Sequence, residues 1–445
     1  MPQKSNRREF LRQGAVVSSV IGSGYFVNPT PAVESKSPNE RLNIAAVGAT
    51  GRAGNDIKEL ASQNIVAIAD VDQNLLEKGS ASYKGVRKYE DFRVMLEKEA
   101  PHIDAVMVGT PDHTHAPAAA MAMKMGKHCY CEKPLAHTVV ECRTLAELAA
   151  EKKLVTQVGS QIHAGDNYRR VVELVQTGAI GPIKDVHVWV QTAHTYHGGK
   201  FTTDKPTPAG LNWDLWLGPA VERPYTEGAH PFFWRRFWDY GTGQLGDFGC
   251  HYMDLVHWAL KLRAPTKVVA TGSPVDPVSA SEWSIVNYDY PARDNMPPVR
   301  MTWYDGGKRP ELFPSIMAML PPDKDGKPAE WKSGQLFVGE KGMILSNYGT
   351  NILLPAEKFA DFKRPEPFIP KSLGHHNEWV NAIKNGGPTT CNFDYSGALS
   401  EAIVLGVIAY RTGKEIQWDA KNLKITNAPE AQQLLHKEYR KGWTM

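Results

Sequence analysis

The chain has 445 residues and a formal net charge of only +3, with the two signs of charge mixed along its length. This length is sufficient for two domains with a large core. Without a concentrated basic face, no nucleic-acid partner is predicted. The five cysteines are too few and too scattered for a disulfide framework, and without a Cys-x-x-Cys pair no metal site is predicted.

Residues 1–40 are predicted to be a targeting segment and a linker rather than part of the fold. Arg7 and Arg8 precede a mildly apolar run over 15–26, which is too short and too rich in Ser and Gly to be a stable membrane anchor. Small residues at 30–32 offer a cleavage site. The pattern predicts a twin-arginine export signal and a periplasmic location. A basic amphipathic tail is the alternative.

Residues 41–165 alternate apolar runs with helical segments. The runs LNIAAVG, IVAIADVD and DAVMVGT are separated by helix-like stretches, the first of which is predicted over 55–63. HCYCEKP and VTQVGSQ add two further strands, with a helix predicted over 139–152 between them. Strands that alternate with helices predict βαβ units and a parallel sheet. We therefore predict an α/β, Rossmann-type dinucleotide-binding domain over 41–165.

Residues 166–445 follow a different pattern. IKDVHVWVQTA, WSIVNYDY and VRMTWYDG are strand candidates without regular helices between the last two, and QLFVGEKGMILSN is typical of a hairpin turned at Lys341-Gly342. Strands in succession predict a mostly antiparallel sheet. Helical segments near the C-terminus end at Gly386 and Gly413. The sequence predicts an α+β domain with a large open sheet.

A glycine-rich turn follows the first predicted strand. Gly48, Gly51 and Gly54 lie between this strand and a helix, where a diphosphate must approach backbone N–H groups closely. Asp70 lies 22 residues after Gly48, at the end of the second strand. A carboxylate there accepts hydrogen bonds from the adenosine ribose and repels a 2′-phosphate. The turn predicts dinucleotide binding, and the acid favours NAD over NADP.

The turn departs from the usual G-x-G-x-x-G pattern at one position. Thr50 stands at the second glycine, and Ala53 stands at the third, where alanine is an accepted substitute. The threonine is expected to shift the diphosphate or to weaken its binding.

Lys133 lies in the stretch YCEKPLAHTVVE, directly after a strand-like run. The carboxyl end of such a strand faces the ligand crevice of an open parallel sheet, so Lys133 should face the cofactor rather than open water. This stretch resembles the Gfo/Idh/MocA family, named for glucose–fructose oxidoreductase and inositol dehydrogenase. The resemblance continues through VGTPDHTHAPAAAMAMKMGKH and GTGQLGDFGCHYMDLVHWAL, and it covers nearly everything from residue 41 onward.

The resemblance implies catalytic roles for three residues. Lys133 matches the family's Glu-Lys-Pro lysine, which contacts the nicotinamide side and the reacting hydroxyl. Asp247 and His251 match the D-x-x-x-H motif, in which the histidine is the expected general acid/base and the aspartate orients the substrate or tunes the histidine. At a spacing of four they should share one helix face, and an imidazole can take a hydroxyl proton near neutral pH. A buried core histidine is the alternative for His251.

The binding residues are predicted from the same motifs. His115 matches a family position near the cofactor, and Gln161 closes the nucleotide-binding domain. The residues predicted to bind NAD are Gly48, Thr50, Gly51, Arg52, Ala53, Asp70, Thr110, Pro111, His115, Glu132, Lys133 and Gln161. The candidate substrate residues are His194, His197, Trp213 and His375. Packing is the favoured interpretation for the tryptophan, and an active-site role for His375 stays open.

These predictions together describe an NAD-dependent oxidoreductase acting on a secondary hydroxyl of a sugar, polyol or glycoside. Because the periplasm has no general NAD pool, an exported enzyme should retain its cofactor and return it to its starting state. The alternatives are a redox-neutral NAD-dependent glycosidase, which oxidises its substrate transiently and eliminates the aglycone, and a non-catalytic sugar-binding protein. The resemblance also implies a homodimer or homotetramer, since the open sheet face usually meets a partner in this family.

Overall fold

The computed structural model describes residues 40–445 except 193, 204, 323–325 and 327–329. The predicted twin-arginine signal lies outside the described residues. Within the described part of the chain, no helix is both long enough and apolar enough to cross a bilayer.

The first sheet contains six strands that alternate with helices. In chain order the elements are β1 (Asn43–Val47), α1 (Gly51–Glu59), β2 (Asn64–Ala69), α2 (Gln73–Ser80), β3 (Arg87–Tyr89), α3 (Phe92–Glu99), β4 (Ala105–Val108), α4 (Asp112–Lys124), β5 (His128–Cys131), α5 (Val139–Glu151) and β6 (Thr156–Val158). The order across the sheet is β3-β2-β1-β4-β5-β6, and all neighbours are parallel. This is the order of a Rossmann domain, as predicted.

Local sequence accounts for where two of these helices begin. A capping box between Thr138 and Glu141 starts α5, and the helix ends at Glu151, close to the predicted end. Helix α1 begins at Gly51 rather than at Asn55 as predicted. Glycines are poor helix formers, but here they form the first turn of the helix, where the backbone must remain open to a ligand.

Both faces of the first sheet are buried under helices. All four residues of β4 are buried, as expected for a central parallel strand with helices on either side. Ile44 and Ala46 of β1 pack on the α1 side, whereas Ala45 and Val47 pack on the α4 and α5 side. The alternation in β1 therefore follows the two-residue repeat of a strand.

The second sheet contains nine strands. The elements of this part are α6 (Asp166–Gln176), β7 (Ile183–Trp189), α7 (Trp213–Leu217), α8 (Gly243–Ala259), β8 (Lys267–Gly272), β9 (Ser284–Tyr290), β10 (Val299–Tyr304), α9 (Phe313–Ala318), β11 (Gly334–Gly339), β12 (Met343–Ser346), β13 (Asn351–Leu354), α10 (His375–Asn385), α11 (Phe393–Thr412), β14 (Ile416–Asp419), β15 (Lys424–Ile425) and α12 (Pro429–Gln432). The order is β13-β12-β11-β7-β10-β9-β8-β14-β15, with β7 and β10 the parallel pair. The predicted antiparallel character and the β11–β12 hairpin are confirmed.

Helices α6, α8 and α11 cover one face of the second sheet. Their apolar side chains share a core with the strands, in which Met253 of α8, Ile403 of α11 and Trp303 of β10 have no exposed surface. The amino-terminal half of α8 also reaches the first sheet, where Thr242 donates a hydrogen bond of 2.9 Å to Asp112 at the start of α4. Helix α8 therefore carries the D-x-x-x-H motif to the carboxyl ends of the parallel strands.

Two late segments of the chain return to the first sheet. Trp379 of α10 packs beside Ile44 and Tyr130. Trp443 packs on Phe92 with ring centroids 5.9 Å apart, and the guanidinium of Arg93 lies 4.2 Å from its ring. The boundary predicted at residue 165 falls between the two sheets in sequence. The two late segments lie after this boundary, but their side chains belong to the core of the first sheet.

Candidate active site

A cavity of about 450 Å³ lies along the carboxyl ends of the first sheet. One wall is the glycine turn with the ends of β1, β2, β4 and β5, and the other wall is formed by residues 215–216 and 230–235. This is where an open parallel sheet binds its ligand. Of the residues predicted to bind NAD, those that line the cavity are Gly48, Thr50, Gly51, Arg52, Asp70, Thr110, Pro111, Glu132 and Lys133.

The first residue of the glycine turn cannot carry a side chain without a close contact inside the protein. Gly48 has φ +98°, and a Cβ there would lie 3.0 Å from both the Gly109 oxygen and the Ala53 Cβ. Thr50 is extended, with φ −133°, a conformation that any residue adopts. The missing second glycine therefore leaves the turn intact, and the backbone N–H groups at the start of α1 still face the cavity.

Asp70 is held at the end of β2 by the turn itself. Its carboxylate accepts hydrogen bonds from the N–H groups of Ala49, at 2.9 Å, and Asp72, at 3.0 Å. Burial raises its pKa in spite of these two bonds. The carboxylate lines the cavity where a dinucleotide would place its adenosine ribose, so the residues present fit the predicted cofactor.

Three residues predicted to bind the cofactor lie behind the cavity wall. The ring nitrogens of His115 lie 2.8 Å from the Pro134 oxygen and 2.7 Å from the Thr110 oxygen. Gln161 donates a 2.7 Å hydrogen bond to Glu132, and Ala53 packs under the glycine turn. The placement corrects the prediction, because these side chains hold the residues that line the cavity instead of lining it themselves.

Glu132 is a buried acid next to Lys133. Burial, and then the nearby Asp56, raise the pKa of Glu132 to about 8, although Arg52 lies 3.4 Å away and opposes the shift. Its oxygens accept hydrogen bonds from Gln161 and from the backbone N–H of Lys133. At neutral pH the Glu132 side chain therefore holds its proton most of the time.

Replacing Glu132 by glutamine is expected to stabilise the cofactor-free protein more as pH rises. The raised pKa means that the folded state keeps a proton which the unfolded chain has released, so the free energy of unfolding falls between about pH 4.5 and 8. The glutamine variant lacks this loss and keeps similar hydrogen bonds. Urea unfolding of both proteins across this pH interval measures the difference in their free energies of unfolding. If the stability gained by the variant became smaller with rising pH, the raised pKa of Glu132 would be contradicted.

A cluster of charges forms the inner end of the cavity. Lys133 Nζ donates a hydrogen bond to Oδ1 of Asp247 and lies 3.1 Å from the backbone oxygen of the same residue. Arg235 Nε lies 3.1 Å from the same Oδ1, and the Tyr196 hydroxyl donates to Oδ2 at 2.5 Å. Burial alone would raise the pKa of Asp247, but the charges of Arg235 and Lys133 hold it well below its usual range. Two cations thus share one ionised carboxylate.

His251 lies one helical turn after Asp247 on α8, as the spacing predicts. Burial and the neighbouring Lys133 charge lower its pKa to about 3, so the ring is neutral at physiological pH. Its Nδ1 is buried without a hydrogen-bond partner among the described residues. The Nδ1 of His257 on the same helix is likewise buried without a partner among the described residues, but its Nε2 lies 3.0 Å from the Tyr290 hydroxyl. Because the imidazole of His251 has no hydrogen-bond partner among the described residues, the interpretation as a proton acceptor is favoured over that as a structural histidine of the core.

The candidate substrate residues are spread over different places. His194 and His197 are exposed on the loop after β7, with the His194 ring 5.2 Å from that of Phe232 in the cavity wall. Trp213 is buried and stacks on Trp216 at 4.5 Å. His375 is buried with Nε2 2.9 Å from the Val158 oxygen. Both side chains are engaged in packing outside the cavity, which for Trp213 is the interpretation that the sequence favours.

Sequence reasoning missed three side chains of the second wall. Trp216, His230 and Arg235 line the cavity opposite the glycine turn. The adjacent arginines in PFFWRRFW were the available signal, since two cations within an aromatic run are unusual for a core.

Two family descriptions match this chain in succession. Residues 20–160 match the NAD-binding Rossmann fold of the GFO_IDH_MocA oxidoreductase family, and residues 165–295 match the C-terminal alpha/beta domain of the same family. The chain belongs to the Gfo/Idh/MocA oxidoreductase family. Its first domain is thus an NAD-binding Rossmann domain of that family.

Individual members of the Gfo/Idh/MocA family are more distant. Inositol 2-dehydrogenase of Rubrobacter xylanophilus is 32% identical over 215 residues, which cover 46% of this chain and 61% of that protein. A glycosyl hydrolase family 109 protein of Shewanella pealeana is 26% identical over 207 residues, covering 40% of this chain and 44% of that protein. The matches therefore span about half the length of these relatives.

A solved structure shares the fold over a longer range. The WlbA dehydrogenase from Bordetella pertussis, in complex with NADH and UDP-GlcNAcA, superposes with a TM-score of 0.58 at 16% identity. The match covers 85% of this chain and 99% of that chain. At this identity the likeness concerns the two-domain fold alone.

Proposed function

We propose that this Gfo/Idh/MocA protein is an NAD-dependent oxidoreductase that acts on a secondary hydroxyl of a sugar, polyol or glycoside. The observation that carries the proposal is the contact of Lys133 with Asp247 at the inner end of the cofactor cavity, with His251 one turn further on α8. The inositol 2-dehydrogenase relative supports a polyol or sugar as the substrate class.

The chain supplies the charges and the proton acceptor for such a reaction. NAD, when bound, provides the carbon that takes the hydride. Lys133 donates a hydrogen bond to the substrate oxygen and stabilises the negative charge that develops there. Neutral His251 accepts the hydroxyl proton. Asp247 holds the lysine in place. The sugar C–O–H unit is thereby oriented between the lysine and the imidazole.

A retained cofactor is part of the proposal because the second domain closes the adenosine end of the cavity. His230 Nε2 lies 3.0 Å from an oxygen of Asp72, two residues after Asp70. The backbone N–H of Gln73 donates a 2.8 Å hydrogen bond to the Gly210 oxygen. These two interactions join the two walls beside the ribose acid, so a bound dinucleotide can leave only after they separate.

Replacing His230 by alanine is expected to speed the dissociation of NADH about tenfold, because the imidazole no longer joins the second wall to Asp72. His102→Ala, an exposed histidine outside the cavity, is the control and should leave the rate unchanged. Fluorescence of bound NADH during a chase with excess NAD measures the rate. Equal rates in wild type and His230→Ala would argue against closure by this histidine.

The nucleotide carried by the purified protein is the first test. Denaturation followed by mass spectrometry should release about one NAD or NADH per chain, and addition of sugars, polyols or glycosides should reduce bound NAD, seen as near-ultraviolet absorbance. A protein that carries NADP(H), or that shows no nicotinamide reduction with any of these compounds, would contradict the proposal. Retention also fits the proposed periplasmic location, which fusion of residues 1–40 to a folded reporter tests.

A redox-neutral glycosidase is the second candidate, favoured by the glycosyl hydrolase family 109 relative and by the closed cofactor site. Transient oxidation of a glycoside acidifies the neighbouring C–H, permits elimination of the aglycone and is then reversed. Release of aglycone with solvent deuterium at that carbon, and without net NADH, would select this candidate. Sedimentation of the purified protein tests the proposed dimer or tetramer.

A further inference from the structure

Arg235 is a second cation in the site that the proposed chemistry does not use. Its side chain is 20% exposed and lines the cavity. The guanidinium stacks on the Trp234 ring at 3.9 Å, and Nε meets Asp247 at 3.1 Å without the geometry of a hydrogen bond. Within the part of the chain that is described, none of its nitrogens donates a hydrogen bond to the protein. The terminal N–H groups are therefore held in place and left free.

The charges around Arg235 leave the inner cavity positive. Lys133 and Arg235 share the single carboxylate of Asp247. Glu132 is mostly protonated at neutral pH because its pKa is raised to about 8, and burial also raises the pKa of Asp112. Glu132 therefore adds little negative charge beside the second cation. A positive cleft with low-dielectric walls attracts an anionic ligand.

We propose that Arg235 binds a carboxylate of the substrate, so that the enzyme acts on sugar acids such as uronates or their glycosides. This inference rests on the proposed function and narrows its substrate class. A guanidinium offers parallel N–H donors that match a carboxylate, which a neutral hydroxymethyl group cannot use as well. Because Lys133 and Arg235 touch the same oxygen of Asp247, one sugar ring can reach the lysine with its hydroxyl and the arginine with its carboxylate.

The test compares sugars that differ only in this group. The cofactor-loaded wild type and Arg235→Gln are given methyl glucuronide or methyl glucoside, and the corresponding galactose pair, and reduction of the bound nicotinamide is followed. Wild type should prefer the acid of at least one pair. Arg235→Gln should lower the acid-to-neutral ratio of kcat/KM about 10- to 100-fold. Arg235→Lys keeps the positive charge but lacks the parallel N–H donors of a guanidinium. Its acid-to-neutral ratio should therefore lie between those of wild type and Arg235→Gln.

The adjacent arginine provides a matched control. Arg236 lies in the same short turn but donates to the Thr195 oxygen at 2.8 Å and is not part of the cavity wall. Arg236→Gln should leave the acid-to-neutral ratio unchanged. An indirect effect of Arg235 through Asp247 would slow both sugars of a pair equally, and that result would overturn the inference.

Other outcomes separate the inference from the proposed function. If wild type oxidises neutral sugars and shows neither turnover nor calorimetric binding of the uronates, the inference fails and the oxidoreductase remains. If Arg235→Gln weakens NAD binding and leaves the ratio unchanged, the guanidinium holds the cofactor instead. If no compound is oxidised and Lys133→Ala behaves like wild type in every assay, the proposed function fails together with the inference.

Discussion

Lys133→Ala is expected to lower kcat for hydride transfer about 10²- to 10³-fold, the loss typical of a group that stabilises developing charge. In the proposed reaction the lysine is the cation closest to the reacting oxygen, and its position after β5 is set by the fold of the first sheet. Single-turnover reduction of bound nicotinamide measures the step directly. The amount of retained cofactor should be determined in parallel, because Lys133 also lines the cofactor cavity.

Lys127, which lies directly before the same strand, offers a control. It precedes β5 at the opposite edge of the sheet, where its Nζ donates a 2.9 Å hydrogen bond to the Ile103 oxygen. Lys127→Ala should keep the wild-type rate. Unchanged turnover in Lys133→Ala would remove the catalytic assignment and favour a sugar-binding protein without activity.

Asp247→Asn is expected to lower the free energy of unfolding by about 3–5 kcal/mol, because it leaves the buried Lys133 and the partly buried Arg235 without their shared counter-charge. The substitution removes the negative charge that Lys133 and Arg235 share and that the Tyr196 hydroxyl also binds. Urea unfolding of the cofactor-free protein measures the change. Activity should fall as well, since the lysine is no longer positioned by an ionised carboxylate.

Two comparisons show whether the repulsion of the cations is the cause. Asp394 pairs with Arg263 on the surface, where their side chains are 74% and 52% exposed, and Asp394→Asn should cost less than about 1 kcal/mol. Adding Arg235→Gln to Asp247→Asn should restore part of the missing stability, because one of the two cations is removed. A double variant that is less stable than Asp247→Asn would contradict this explanation.

The fold, the first wall of the cavity and the motif on α8 could be predicted from the sequence, because they depend on the spacing of residues within single elements or neighbouring ones. The alternation of apolar runs with helices predicted the parallel sheet. The glycine turn and Asp70 belong to one βαβ unit. Asp247 and His251 are four residues apart on one helix, so their shared face required no knowledge of the rest of the molecule. The placement of Lys133 at a strand end likewise followed from the rule for parallel sheets.

The second wall of the cavity was decided by tertiary structure. Arg235 meets Lys133 through a carboxylate on α8, and His230 meets Asp72 across the two domains. The periodicity of the sequence does not indicate which of these charged residues come into contact. Their contacts depend on how α8 and the loop before it pack against the first sheet. Packing also engages His375 with β6. Local spacing determined which residues share an element, whereas the burial of apolar surface between the two domains determined which charges face one another.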